Sequence, residues 1–191
     1  MVNLMGRSQP QTAGAGDCLA LEDAALLAQC RVKIHRASGP GGQHRNKVST
    51  ACHLFHAPTG VSAQAYDSRS QAANRRSALG RLRMKIACEV RRPLDLAAPV
   101  VPAAAASCLF TPRKGPAGAP RRLQVGRKDR RFWPVAQFLL DLLEASGGRL
   151  ADAARAIGIT TSNLVSVLKA DRHLLAAAQG LRKRHGQGPL K

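Results

Sequence analysis

The 191-residue sequence contains few aromatic and few acidic residues. Phe, Trp and Tyr make up 3% of it, and 11 Asp and Glu stand against 30 Lys and Arg, a formal net charge of +19. A sequence rich in alanine and leucine with so few aromatic residues favours helices with modest cores over a large sandwich or barrel. The positive charge indicates a polyanionic partner, usually nucleic acid, because each neutralised phosphate releases condensed counterions. An anionic membrane surface is disfavoured because no basic amphipathic helix has a bulky apolar face.

The sequence also lacks the patterns of metal-binding, secreted and membrane proteins. Its five cysteines are widely spaced without a C-x-x-C pair, which indicates free thiols in a reducing cytosol rather than a zinc knuckle or a disulfide framework. Residues 1–15 contain no apolar stretch of a secretory signal, and no apolar run approaches the length of a membrane span. We therefore expect a cytoplasmic protein that uses no metal, no cofactor and no membrane.

Composition divides the chain into four parts. Residues 1–20 are rich in Gly, Gln, Ser and Ala and are predicted to be disordered. Residues 21–92 are predicted to form a compact mixed unit. Residues 93–125 contain six prolines among alanines, glycines and basic residues, which predicts a semi-rigid linker. Residues 126–191 are predicted to be helical.

Residue patterns within 21–92 predict a small α+β fold. Leu21–Cys30 is predicted to form a short helix. Three strands are predicted from alternating residues, at 31–36, 51–56 and 61–66. A turn at Pro58–Gly60 joins the last two strands. Ser68–Gln71 fits a capping box that opens a long basic helix running to about Val90, so we expect a small mixed sheet covered by this helix, with a glycine loop protruding.

Much of the positive charge is concentrated in this unit. Residues 31–92 contain thirteen Lys and Arg against two acids, Asp67 and Glu89, so more than half of the chain's excess charge lies in a third of its length. Charge confined to a folded unit in this way is typical of a binding surface.

The C-terminal part begins with a cationic stretch and continues as helices. Residues 113–131 contain eight Lys and Arg, and Asp129 is the only acid among them. Phe132–Leu143 then predicts an amphipathic helix with Pro134 in its first turn, ended by Gly147–Gly148.

Two further helical segments follow, and together they predict a separate, all-α, helix-turn-helix-like region. Leu150–Ile157 and Ser162–Lys169 flank Gly158, which has the spacing of the turn in such a motif. An ordinary helical hairpin fits the same pattern. If the pair read DNA, the residues facing the groove would be Ser162, Asn163 and Ser166.

Residues 36–71 contain a glycine loop and two further short motifs. Ser38–Gln43 includes three glycines and a proline, which exclude regular structure there. The stretches Arg36–Lys47, Pro58–Gly60 and Asp67–Gln71, in this order and spacing, resemble the catalytic domain of class I peptide chain release factors. The resemblance implies a domain that reaches the peptidyl transferase centre and hydrolyses the ester of peptidyl-tRNA. It also implies that the catalytic residues are Gly41, Gly42 and Gln43.

The chemistry of ester hydrolysis suits these residue types. Glutamine has no titratable proton near neutral pH, so Gln43 is not a general base, but its backbone N–H can donate to the developing oxyanion or to the leaving 3′ oxygen. Its side-chain amide can orient water and exclude larger nucleophiles. Gly41 and Gly42 permit a close backbone approach and a positive φ that most residues avoid. The ribosome would supply much of the remaining catalysis by positioning the ester.

Basic and amide side chains around the loop are suited to RNA. Arginine, lysine and histidine contact phosphates, whereas serine, asparagine and glutamine hydrogen-bond sugars and bases. The predicted RNA-binding residues are Arg36, Ser38, His44, Arg45, Asn46, Lys47, Arg69, Ser70, Gln71, Asn74, Arg75 and Arg76. The expected partners are the large ribosomal subunit at its peptidyl transferase centre, peptidyl-tRNA and ribosomal RNA, and the protein is expected to act as a monomer.

Other catalytic patterns do not fit. His53 and His56 lie three residues apart on a predicted strand, so their side chains point to opposite faces and cannot share a metal ion. A G-x-S-x-G nucleophile motif and a G-x-x-x-x-G-K-[ST] phosphate loop are both missing from the sequence.

The position of the glycine loop separates two kinds of release factor. Only about thirty residues precede the first predicted strand, whereas the stop-codon-reading factors that this sequence resembles have a separate domain there. The resemblance therefore favours a rescue hydrolase that frees stalled ribosomes without a stop codon. Two alternatives stay open: a non-catalytic ribosome- or RNA-binding factor with a vestigial loop, and a DNA-binding regulator acting through the C-terminal helices.

Overall fold

The computed structural model describes residues 17–36, 50–112 and 118–190, which have the expected α+β architecture. The helices are α1 (Asp23–Ala28), α2 (Gln71–Glu89), α3 (Ala103–Ala106), α4 (Phe132–Ala145), α5 (Leu150–Ala156), α6 (Thr161–Leu168) and α7 (Arg172–Arg184). The strands are β1 (Cys30–His35), β2 (Ala51–His56), β3 (Ser62–Ala65), β4 (Leu109–Phe110) and β5 (Arg122–Leu123). Within these ranges, no helix combines the length and the apolar character that crossing a membrane requires.

A three-stranded sheet frames the N-terminal unit. β2 lies in the centre and pairs with β1 on one side and β3 on the other. All three strands lie within one residue of their predicted bounds. The expectation of a mixed sheet was wrong for these strands, because both pairings are antiparallel. A tight turn reverses the chain between β2 and β3, where the Gly60 N–H donates to the carbonyl oxygen of His56 at 2.9 Å.

Helix α2 packs against β2 and β3 and closes the first hydrophobic core. Leu79, Leu82 and Ile86 follow helical spacing and are buried, as predicted. They belong to one cluster with Leu54 and Ala63 of the sheet. This packing positions the first turn of the helix beside the end of the sheet from which the glycine loop departs.

The start of α2 lies two residues later than its capping box suggested. Ser70 is the N-cap, and its Oγ accepts a hydrogen bond from the N–H of Ala73 at 3.3 Å. The hydroxyl of Ser68 instead accepts from the N–H of Ser70 at 3.1 Å. Only Ser68 has a glutamine three residues later, as the capping box requires, yet the helix begins after Ser70, whose preceding turn is held by the bonds between Asn74 and Ser68.

The prediction that residues 1–20 are disordered was wrong for the part that the structure describes. Cys18–Ala20 forms a short 3-10 helix, and Leu19 is 1% exposed. Arg83 of α2 donates to the carbonyl oxygen of Leu19 at 2.7 Å. The apolar side chains at positions 18 and 19 thus complete the first core, while residues 1–16 lie outside the described ranges.

A second cluster of buried hydrophobic residues forms the C-terminal unit around α4. Every residue from Pro134 to Leu143 is buried, although the helix was predicted to be amphipathic. The difference arises because α4 contacts α2, α3, α5 and α7 and is therefore covered on all sides. Gly147 and Gly148, which were predicted to end this helix, both have positive φ.

The described parts of residues 93–125 are packed rather than extended. Leu94, Leu96 and Val101 lie against the second core, and Ala105 and Leu123 are buried within it. The linker interpretation was wrong for these residues, because prolines that limit helix formation do not prevent apolar neighbours from packing.

Asp141 joins the two units through buried ion pairs. Its carboxylate, 2% exposed, accepts from the Nε–H of Arg92 at 3.0 Å and lies 3.2 Å from Nη1 of Arg91. Burial raises the pKa of Asp141, an effect that the charges and hydrogen bonds of the two arginines oppose. The indole of Trp133 packs against both hydrophobic clusters. We had expected the C-terminal helices to form a separate region, and this expectation was wrong, because they pack against the N-terminal unit.

Helices α5 and α6 are joined by a short turn at residues 157–160. Gly158 has a φ of +70°, which glycine adopts without strain. Asn163 does not face outward: its side chain accepts from the N–H of Leu123 at 2.7 Å and donates to the carbonyl oxygen of Leu123 at 2.9 Å. The pair is thus fastened to β5, whereas Ser162 and Ser166 are exposed.

His56 is buried where β2, the following turn and the end of α1 meet. Its Nε2–H donates to Oε1 of Gln29 at 2.9 Å, because an amide oxygen can only accept. Its Nδ1 then accepts from the hydroxyl of Thr59 at 2.7 Å. Both nitrogens are used by a neutral ring, and burial lowers the pKa of His56. The residue supports the fold and is not available as a metal ligand.

Substituting Asp141 is expected to destabilise the protein strongly. Asp141→Ala leaves Arg91 and Arg92 without their buried partner, and breaking one side of such a pair costs about 3–5 kcal/mol. Urea unfolding followed by circular dichroism measures the effect. Glu89→Gln, an exposed acid at the end of α2, is the control and should leave the unfolding midpoint unchanged. Equal stability of both variants would contradict the role assigned to Asp141.

The lowered pKa of His56 predicts that stability falls as the solution becomes acidic. Below pH 6.5, the ordinary histidine value, the unfolded chain binds a proton that the folded chain does not bind until its lower pKa is reached. The free energy of unfolding should decrease in this window by at most about 1.4 kcal/mol per pH unit. His56→Gln should reduce this pH dependence, measured by urea unfolding on both sides of pH 6.5. His53→Gln, on the same strand but partly exposed, should retain it.

Candidate nucleic-acid interface

The glycine loop connects two adjacent strand ends. The chain leaves the sheet after His35 and returns at Ala51, and these two residues are register partners. Both ends of the intervening segment are therefore held at the same end of the sheet. The predicted residues that fall within 37–49 lie outside the described ranges, namely Ser38, Gly41, Gly42, Gln43, His44, Arg45, Asn46 and Lys47.

Asn74 anchors the downstream root of this loop. Its Nδ2 donates to the carbonyl oxygens of Thr50 and Ser68, both at 2.8 Å, and its Oδ1 accepts from the N–H of Ser68 at 2.9 Å. The side chain is completely buried and its amide hydrogens are both used. The prediction that Asn74 binds RNA was therefore wrong: it ties the loop root, the turn before α2 and α2 itself together.

Ser70 also has a structural task, as the N-cap of α2. Because its hydroxyl remains exposed, it can still donate a hydrogen bond outward. Arg69 and Gln71 on either side of it are exposed. The predicted residues at the start of α2 thus surround the anchored loop root.

Four predicted arginines present free positive charge. Each is exposed, and none makes an ion pair with an acidic residue in the described part of the chain: Arg36, Arg69, Arg75 and Arg76. The charge of Arg75 reaches Cys52 of β2, where it partly opposes the rise that burial causes in the thiol pKa. The guanidinium group of Arg75 therefore lies close to the sheet end from which the loop departs, where it can donate hydrogen bonds to phosphates.

The remaining basic residues of α2 hold the fold together. Arg81 donates to the carbonyl oxygen of Gln64 at 2.7 Å and to Asp67 at 2.6 Å. Arg83 binds two backbone carbonyl oxygens of the 17–21 segment, and Lys85 donates to the carbonyl oxygen of Ser62 at 3.0 Å. The basic side chains of α2 are thus of two kinds. Those in its first turns are available to a ligand, and those in its middle are bonded to other parts of the fold.

No alternative catalytic cluster emerges elsewhere in the described ranges. They contain no group of three or more His, Cys, Asp or Glu side chains that could hold a metal ion. Burial raises the pKa of Cys18, Cys30 and Cys52, and raises that of Cys88 to about 11, so these thiols are held protonated.

Sequence reasoning missed the contribution of the C-terminal unit to this surface. Arg76 lines a cleft together with Lys128 and Trp133, which lie far along the chain. The basic run at 113–131 was a signal for Lys128, but no sequence pattern indicated that it would lie near α2.

Comparison with known proteins identifies the N-terminal unit. Residues 26–95 match the family model described as the RF-1 domain. Peptide chain release factor 2 of Lactiplantibacillus plantarum is 46% identical over 56 residues, which cover 29% of this chain and 15% of the relative. Peptide chain release factor 1 of Geobacter sulfurreducens is 44% identical over 59 residues, or 31% of this chain and 17% of the relative.

A third relative matches over a similarly short part of its length. Peptide chain release factor 2 of Clostridium perfringens is 45% identical over 56 residues, which cover 29% of this chain and 16% of the relative. The similarity thus spans about a sixth of the length of the curated relatives. Within that span it coincides with the unit that carries the glycine loop, and the chain therefore contains an RF-1 domain, the catalytic domain of class I peptide chain release factors.

Proposed function

We propose that this protein hydrolyses the ester bond of peptidyl-tRNA on the ribosome, and that it does so without reading a stop codon. The match of residues 26–95 to the RF-1 domain carries the proposal, since that range contains Gly41, Gly42 and Gln43. The site of action would be the peptidyl transferase centre of the large subunit, reached from the cytoplasm by a monomer.

Gln43 would act through its backbone rather than as a base. Its N–H would donate to the oxyanion or to the leaving 3′ oxygen of the tRNA, and its side-chain amide would hold the attacking water. The glycines before it would allow the backbone to approach the ester closely. Water supplies the hydroxyl that forms the peptide's carboxylate, and the tRNA leaves with a free 3′ hydroxyl.

The described part of the domain supports this assignment in two ways. Asn74 holds the root of the loop, which gives a short catalytic segment a fixed origin. The free guanidinium groups of Arg36, Arg69 and Arg75 lie around that root and suit the phosphates of ribosomal RNA. Ser70 and Gln71 add neutral hydrogen-bonding groups at the same place.

Independence from a stop codon is a separate part of this proposal: the chain spans only 15–17% of the length of the curated relatives it matches, and release from complexes without a stop codon tests it directly. The C-terminal unit is proposed to bind the ribosome through its helix-turn-helix-like pair, whose exposed Ser162, Ser166 and Arg155 suit an RNA backbone.

The central prediction concerns peptide release from stalled complexes. Wild-type protein should release the peptide from ribosomes that carry no stop codon in the A site. Gly42→Ala should lower the release rate about 100-fold, because displacing a positioned donor by an ångström has an effect of this size. Gln43→Ala should also lower it, because water loses its amide partner. The measurement is the first-order rate of peptide release from purified complexes.

Two substitutions serve as matched controls for this experiment. Gly180→Ala lies in α7, where an added Cβ meets open space, and Gln64→Ala lies on the exposed face of β3. Both should release peptide at the wild-type rate. Full activity of Gly42→Ala and Gln43→Ala would refute the loop chemistry, and ribosome binding without release by wild type would favour the non-catalytic alternative. A requirement for a stop codon would refute the proposed codon independence but not the proposed hydrolysis.

The division of charge along α2 gives a second prediction. Arg75→Gln should weaken binding to the large ribosomal subunit and reduce the slope of log affinity against log salt by about 1, without changing the unfolding midpoint. Arg81→Gln should lower the free energy of unfolding by up to about 1 kcal/mol, the usual range for an exposed ion pair, while retaining the salt slope. Equal effects of both variants on binding would show that the two arginines do not differ in role.

A further inference from the structure

A cleft lies between the N-terminal and C-terminal units. It has a volume of about 500 Å³, within the range of small-ligand sites. Leu79 and Arg76 of α2 form part of one wall, and residues 127–131 and Trp133 form part of the other. Both hydrophobic cores contribute to its surface, so the cleft exists only because the two units are packed together.

The charge on the cleft walls is strongly positive. Six cationic and three acidic side chains line it, a formal excess of three positive charges. Each acid is already engaged by an arginine: Glu22 with Arg130 at 2.6 Å, Asp23 with Arg83 at 2.9 Å, and Asp129 with Arg131 at 2.6 Å. Hydrogen bonds from Arg131 hold the pKa of Asp129 at about 2, so this pairing persists at neutral pH. An incoming anion therefore meets little competing negative charge.

Among the described residues, two cations of the cleft have no acidic partner, and a third is paired but remains largely exposed. Arg76 and Lys128 are exposed and make no ion pair with an acidic residue in the described ranges. Arg127 is held by the carboxylate of Asp171 at 2.8 Å but keeps 66% of its side chain exposed. Arg76 belongs to α2, whereas Arg127 and Lys128 belong to the segment before α4, so cations of both units reach the cleft, where they can bind phosphates.

The cleft also offers apolar and aromatic surface. Trp133 is partly exposed among the lining residues, whereas Leu79 and Pro134 are buried. Proteins bind single-stranded nucleic acid with this combination, in which basic groups follow the backbone and aromatic rings accept unstacked bases. A duplex would present its phosphates without bases that could reach the floor of the cleft.

We infer that this cleft binds a single-stranded RNA segment, with phosphates on Arg76 and Lys128 and a base against Trp133. Arg76 follows Arg75 in sequence on α2, so the strand would continue from the surface at the loop root into the cleft. The inference does not depend on catalysis by Gly41, Gly42 and Gln43, because binding in the cleft requires no bond to be cleaved. It assigns to the contact between the two units a role in recognition.

The only tryptophan of the chain lies in this cleft, which provides a direct test. A short single-stranded oligouridylate, added to the full-length protein, should quench the emission of Trp133 through base stacking. Inorganic polyphosphate, which lacks bases, should compete for binding but quench less. Fluorescence anisotropy of labelled oligouridylate measures total binding in parallel.

Two lysine substitutions of equal charge change separate the cleft from the remaining surface. Lys128→Gln should weaken the quenching and reduce its salt slope by about 0.7, the value for one phosphate contact on a single strand. Lys183→Gln, an exposed lysine on α7 that does not line the cleft, should leave both unchanged. Urea midpoints equal to wild type would show that both variants are folded.

Several results would overturn the inference. Anisotropy that saturates with unchanged Trp133 emission would place the RNA elsewhere. Equal effects of Lys128→Gln and Lys183→Gln would show that the binding is non-specific electrostatic attraction. A preference for duplex RNA would contradict the proposed binding of a single strand. The release assay keeps this result separate from catalysis: Gln43→Ala should bind oligouridylate normally, even though it releases peptide more slowly.

Discussion

Eleven acidic side chains accompany thirty basic ones in this chain, and nine of the eleven form ion pairs in the structure. Several of them join parts of the chain that are far apart in sequence. Asp141 joins the two units, and Glu22 and Asp23 secure the N-terminal segment. Among the described residues, cations such as Arg69, Arg75 and Lys128 make no ion pair with an acidic residue, and the repulsion between such charges is relieved when a polyanion binds.

The small number of acidic residues divides the arginines into those that hold the fold together and those that remain available for binding. Arg81 and Arg83 in the middle of α2 bind carboxylates and backbone carbonyl oxygens, whereas Arg69 and Arg75 near its start are free. These unpaired arginines lie near the root of the glycine loop, where the proposed chemistry requires RNA to be bound. Catalysis by a single tripeptide needs such a frame, because the loop contributes donors but cannot by itself position the ester.

Local sequence patterns predicted the elements of the N-terminal unit well. The alternation of β2 and the spacing of Leu79, Leu82 and Ile86 depend on near neighbours, so the strand and the helix face were found. The same reasoning failed at Asn74, whose polar side chain and basic surroundings suggested a ligand contact. Its partners Thr50 and Ser68 become neighbours only after the sheet and α2 have packed. The catalytic tripeptide stays a prediction from sequence and family.

The sequence by itself determined the net charge, the order of the motifs and the membership of residues 26–95 in the RF-1 domain, because these are properties of residue identity and spacing. Only the tertiary structure decided which cations are free and that residues 93–112 pack on the second core. It also formed the cleft at Trp133 from segments far apart along the chain. The physical reason is that an ion pair or a buried contact depends on distance in space, which side-chain packing sets and local pattern does not encode.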